Sequence, residues 1–195
     1  RDLVRSRGLG DVYKRQYFTK ELPPLIDEHF HGTGRDAIAG ISMSGGPALN
    51  IASLEPERFA AAASYSGCPA TSGVLGDTYV RQALKLNGAD PRKMWGMSSD
   101  PAWMAHSPVL HLDALEGTKL FVSAAQGVPG AIDDTKTSSE RIGPPVAIES
   151  ASYACSEYFV DRAQRTGLDV QWYPQVEGTH SWGLFEKSMR KSWGV

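Results

Sequence analysis

The stretch AIAGISMSGGPALN, Ala37 to Asn50, sets two serines, Ser42 and Ser44, among small residues directly after an apolar run. Asp36 to Ile41 reads as a short apolar strand of the kind buried in a parallel sheet, and Gly45 to Leu54 as a helix ended near Pro56. A strand, a sharp turn carrying serine and a helix immediately behind it make a nucleophile elbow. Residues two before and two after the serine must then be small, because the two backbones nearly touch. Ser42 has Gly40 and Ser44 at those places, and Ser44 has Ser42 and Gly46, so spacing leaves both open. A serine before a glycine pair is also an ordinary helix N-cap.

The rest of the chain continues the alternation. ERFAAAASYSG supplies a second strand near Ala60 to Tyr65, KLFVSAAQG a third and DVQWYP a fourth. Between the second and third lies a Gly/Ser/Pro-rich insertion, Gly67 to about Glu116, with a helix near Thr78 to Leu86. A helix is predicted over Val146 to Arg165, stopped at Gly167, and another closes the chain in SWGLFEKSMRKSW. YFTKELPPLIDEHF is read as helical despite Pro23 and Pro24. Strands alternating with helices predict an α/β fold with a mostly parallel sheet of about four strands and flanking helices. An apolar first strand with nothing before it to cover its outer edge suggests the later part of a larger sheet.

Composition narrows the function. The 195 residues are 41% hydrophobic and 22% charged, as in one globular domain, and no apolar run of membrane-spanning length occurs. Residues 1–16 differ from the rest. Arg1, Arg5, Arg7, Lys14 and Arg15 stand against Asp2 and Asp11, and GLGDVYKRQ resembles a translated adapter sequence, so this segment is read as a non-native leader. The remainder holds 15 basic and 20 acidic side chains, which argues against a nucleic-acid partner. Cys68 and Cys155 lack zinc-ligand spacing and are either one disulfide or two buried thiols.

Two further windows follow the elbow in order: MWGMSSDPAW, Met94 to Trp103, and GTHSW, Gly178 to Trp182. The three together resemble the antigen 85 mycolyltransferases and related corynomycolyltransferases, which have the α/β-hydrolase fold of the esterase D branch. The resemblance runs from about Tyr17 to the C-terminus. It implies that residues 17–195 are the later part of an α/β-hydrolase domain whose N-terminal strands lie upstream. In its register Ser42 is the nucleophile and Met43 N–H one oxyanion donor, the second donor belonging to that upstream part. The activity implied is mycolyl transfer through a serine acyl-enzyme, from a trehalose mycolate-type glycolipid to trehalose or a cell-wall sugar. No cofactor or metal is implied, and the location implied is secreted or cell-envelope. A carboxylesterase or thioesterase of the same branch, with water as acceptor, is the alternative. A binding protein that has lost its chemistry is a more distant one.

A serine hydroxyl needs a base. His29, His31, His106 and His111 fall in helix or insertion segments and read as surface or structural. His180 follows the last strand in a Gly-flanked loop, where the order nucleophile, acid, histidine requires it. The acid should lie after the third strand. Asp133 and Asp134 hold the place usual in α/β-hydrolases, while Glu157 of SEYFV resembles a family glutamate and is preferred for that reason. A helical wheel puts Ala151, Cys155, Phe159 and Arg162 on one side and Glu157 opposite. Trp182 resembles the tryptophan beside the family's sugar site, although a lone aromatic is more often packing. Phe159 resembles an aromatic next to the acid. Ala124 replaces the family's usual third-strand cysteine.

Overall fold

The computed structural model describes residues 9–133 and 143–193. Its strands are β1 (Asp36–Ile41), β2 (Phe59–Tyr65), β3 (Lys119–Val128) and β4 (Val170–Glu177). All three pairings are parallel, and the order across the sheet is β1-β2-β3-β4. The helices among the described residues are α1 (Leu9–Gln16), α2 (Leu22–Phe30), α3 (Gly45–Leu54), α4 (Gly73–Leu86), α5 (Arg92–Trp95), α6 (Pro101–Ala105), α7 (Pro144–Arg165) and α8 (Trp182–Ser192). Residues Tyr17–Glu21 form a π turn between α1 and α2, so the predicted N-terminal helix is broken just before its proline pair. The segment 9–16, read as leader, is helical; residues 1–8 lie outside the described part.

Alternation along the strands builds two packed faces. Ala62 of β2 and Leu120 and Val122 of β3 meet Leu49 and Ala52 of α3 and Cys155, Phe159 and Ala163 of α7. On the opposite face Ala63, Tyr65 and Phe121 form one cluster, and Ala125 packs with Leu184 and Phe185 of α8 in another. Fully burying one such side chain is worth about 1.5–3 kcal/mol. The alanine run of β2 keeps that strand thin, which lets α3 and α7 share one core with it.

The strand margins differ from the centre. β1 pairs with β2 only, among the described residues; Ile38 and Ile41 are half-buried, while Ala37 and Ala39 are exposed. Arg58 fastens its first residue by an ion pair to Asp36. β4 runs three residues past Pro174, further than the sequence predicts. A proline without N–H is tolerated there because β4 pairs only with β3 among the described residues.

The insertion after β2 is a small packed unit. Helix α4 starts at Gly73, earlier than predicted, and its Gly76 lies close against the Ala70–Thr71 backbone. In MWGMSSDPAW, Asp100 caps α6 by accepting from Ala102 N–H at 2.9 Å. Trp95 meets Trp103 edge-on at 5.2 Å and stacks on His106 at 4.5 Å, and Arg81 lies over Trp103. The Cys68–Cys155 disulfide is formed and ties this unit's first residues to α7.

Candidate active site

β1 ends at Ile41, and the chain turns through Ser42 with φ of 55° before entering α3. A non-glycine residue in that left-handed region costs on the order of 1–3 kcal/mol and persists only where the surroundings enforce it. The surrounding backbones pack closely here. A Cβ at Gly40 would collide with the Ser44 carbonyl, and one at Gly46 with the Cys68 carbonyl. The two serines separate cleanly. Ser44 Oγ accepts from Ile41 N–H at 2.9 Å and donates to Ile41 O at 2.7 Å, closing the turn on itself. Ser42 Oγ instead lies 2.7 Å from His180 Nε2.

His180 occupies the loop between β4 and α8. Gly178 N–H donates to Val128 O at 2.7 Å and His180 N–H to Pro145 O at 3.2 Å, so the loop is pinned to the end of β3 and the start of α7. The ring meets Phe185 edge-on at 4.9 Å. Its Nδ1 lies 2.7 Å from Glu149 Oε2. The Glu149 side chain is fully buried, and its Oε1 accepts from Ser66 Oγ and from Ala125 N–H, each at 2.8 Å. Ser66 itself has φ of 50° and directs its hydroxyl inward from the end of β2. The Ala125 N–H is available because it faces the β2 side two residues beyond Ser123, where β2 has ended. Two donors hold Oε1, so Oε2 is turned to accept from Nδ1–H, which leaves Nε2 to accept from the Ser42 hydroxyl.

The preferred acid is therefore corrected. Glu157 is exposed on α7, two turns beyond Glu149, and the imidazole is met by Glu149. The buried stripe of α7 is Glu149, Ser152, Cys155, Ser156, Phe159, Val160 and Ala163, whereas Ala151 and Arg162 face out. The predicted wheel was centred on the wrong stripe. Each polar residue on that stripe has a partner: Ser66 for Glu149, Tyr79 for Ser152 and the Gly67 carbonyl for Ser156. Burial raises the Tyr79 phenol's pKa; the Ser152 contact lowers it and the nearby Glu149 charge raises it again. Asp133 is buried but bonds to the residues flanking His180, and Asp134 lies outside the described residues. Phe159 is core packing, in one cluster with Cys155, Val160 and Ala163 of α7.

The other site residues stand at the surface. Met43 is 70% exposed directly after Ser42, and its N–H belongs to the first turn, where helix N–H groups have no partner within the helix. Trp182 opens α8, is 73% exposed and touches only Phe185 among the aromatic rings. His29 and His111 contact backbone carbonyls at the surface, and His31 is exposed too. Among the described residues no group of three or more His, Cys, Asp or Glu side chains is arranged to hold a metal ion.

A parallel sheet with helices on both faces, a strained serine after a strand and a histidine after the last strand define a class, the α/β-hydrolase fold. Solved structures agree. Mycobacterium tuberculosis MPT51 (FbpC1) superposes with a TM-score of 0.76 at 20% identity, covering 92% of this chain and 66% of that one. A ferulic acid esterase gives 0.59 at 18% identity, covering 91% and 58%. The chain belongs to the Esterase family, whose model matches residues 4–193. Its curated relatives include the diacylglycerol acyltransferase/mycolyltransferase Ag85C of Mycobacterium leprae (strain TN), 29% identical over 94% of this chain and 56% of that protein. Ag85A of Mycobacterium bovis (strain BCG / Pasteur 1173P2) is 33% identical over 88% and 51%. The chain thus spans about half the length of these relatives.

Proposed function

We propose that the chain carries the nucleophile, base and acid of a serine acyltransferase of the mycolyltransferase type. The observation that supports it is the unbroken relay from Ser42 Oγ through His180 to Glu149, with both links at 2.7 Å. Ser42 attacks the acyl carbonyl of a glycolipid ester while His180 Nε2 takes its proton, and Glu149 stabilises the imidazolium that forms. Met43 N–H, directly after Ser42, is the proposed donor to the oxygen that becomes negative in the tetrahedral intermediate, a role for which backbone donors suit. The intermediate collapses, His180 protonates the departing sugar oxygen, and the acyl group remains on Ser42. A sugar hydroxyl then repeats the sequence in reverse, giving up its proton to His180. Trehalose or a cell-wall sugar is the proposed acceptor, with the exposed indole of Trp182 offered for stacking beside His180.

The Cys68–Cys155 disulfide suits an oxidising, exported location, which supports the cell envelope as the place of action. No helix among the described residues is long and apolar enough to cross a membrane. The test compares acyl transfer to trehalose with release of nitrophenol from a short-chain ester, with Ser42→Ala as control. Transfer at or above the hydrolytic rate, lost on the order of 10^6-fold in Ser42→Ala, supports the proposal. Ester hydrolysis without transfer favours the water-using esterase.

A further inference from the structure

A second buried carboxylate lies against the histidine loop without touching the imidazole. Asp133 is 3% exposed. Its Oδ1 accepts from Thr179 N–H at 2.7 Å, from Thr179 Oγ1 at 2.8 Å and from Ser181 Oγ at 3.0 Å, while Oδ2 accepts from Gly130 N–H at 2.8 Å. Thr179 and Ser181 are the immediate neighbours of His180, and both are buried. We infer that Asp133 is a positioning residue for the base, clamping the chain on either side of His180 so that the imidazole stays between Ser42 and Glu149. The inference rests on the proposed role of His180.

The chemistry of the cluster favours a charge. Burial raises the carboxyl's pKa, but the hydrogen bonds from Gly130, Thr179 and Ser181 outweigh it, and the net is below the ordinary 3.8. All four surrounding groups donate, so an acceptor-only carboxylate satisfies every one of them. An asparagine in its place must turn its NH2 towards either Gly130 N–H or the Thr179–Ser181 donors. In both orientations donor meets donor and the loop has to shift. A misplacement of about 1 Å at a catalytic group costs roughly 100-fold.

The experiment is the rate of covalent labelling by a fluorophosphonate, resolved into the maximal rate kinact and the half-saturating concentration KI. Wild type is compared with Ser42→Ala, Asp133→Asn, Thr179→Val and Thr179→Ser, each checked for folding by circular dichroism. Wild type labels and Ser42→Ala does not. Asp133→Asn loses about 10- to 100-fold in kinact with KI unchanged and the full protein complement still labelled. Thr179→Val falls in the same direction by less, and Thr179→Ser, which keeps both donors, stays within about twofold of wild type. A folded Asp133→Asn with wild-type kinact, or one that loses only the fraction labelled, overturns the inference. If Asp133→Asn fails to fold, equal kinact in Thr179→Val and Thr179→Ser overturns it. A wild type that is not labelled at Ser42 defeats the underlying reading of the site instead, and the inference falls with it.

Discussion

The proposed nucleophile and its proposed proton acceptor are held in different ways. Ser42 is positioned within a dozen residues: β1, a tight turn closed by Ser44 and the start of α3. The Glu149–His180 pair is assembled from the end of β2, the end of β3, the start of α7 and the loop after β4. The first half is a local backbone shape; the second is a junction of distant segments whose polar groups satisfy one another in the dry interior. Local shape fails by steric collision, and a junction fails by losing a partner.

Breaking the junction at its centre has the largest expected effect. Glu149→Gln lowers the maximal acylation rate by about 10^4-fold, because an amide that keeps the Ser66 and Ala125 donors turns its NH2 to Nδ1 and imposes the wrong tautomer. Glu157→Gln stays within about twofold. A larger loss from Glu157→Gln than from Glu149→Gln would remove Glu149 from the relay; pre-steady-state burst rates decide it. Next is the disulfide that moors α7. It joins cysteines separated by 87 positions. The double variant Cys68→Ala/Cys155→Ala is expected to lose about 4–5 kcal/mol in urea unfolding. An unchanged midpoint would mean that α7 needs no mooring. The smallest effect comes from pH. Asp133's folded pKa is depressed, so its contribution to stability is complete above the unfolded value near 3.8 and is lost as pH falls through the lower folded value. The gap in Tm between wild type and Asp133→Asn is therefore constant above about pH 5 and narrows in acid. A gap that widens in acid contradicts that sign.

The same division governs how much the sequence reveals. The elbow is legible because its steric rule is written within a few residues, Gly40 and Ser44 two places either side of Ser42; only the choice between the serines needed more, and Ser44's closed hydroxyl explains why. His180 is legible from chain order. The four strands are legible from their apolar runs, with β4 misjudged at its end because only the sheet tells that Pro174 lies on a strand paired with β3 alone among the described residues. Glu149 is hidden. Nothing in AIESASYACSEYFV marks Glu149, Ser152 and Ser156 as buried, and their partners lie far along the chain: Ser66, Tyr79 and Gly67. Projected down α7, Glu149 and Glu157 are only about 80° apart, so the pattern offers little to separate them. The insertion's tryptophans carry the resemblance yet serve to pack the insertion itself.

Mounting Glu149 on α7 has a redox consequence. Glu149 and Cys155 share the buried stripe of that helix, and Cys155 is bonded to Cys68 at the start of the insertion. A reductant that opens the bond is expected to loosen the helix that carries the carboxylate while leaving the Ser42 turn unchanged, because that turn is closed within β1, Ser44 and α3.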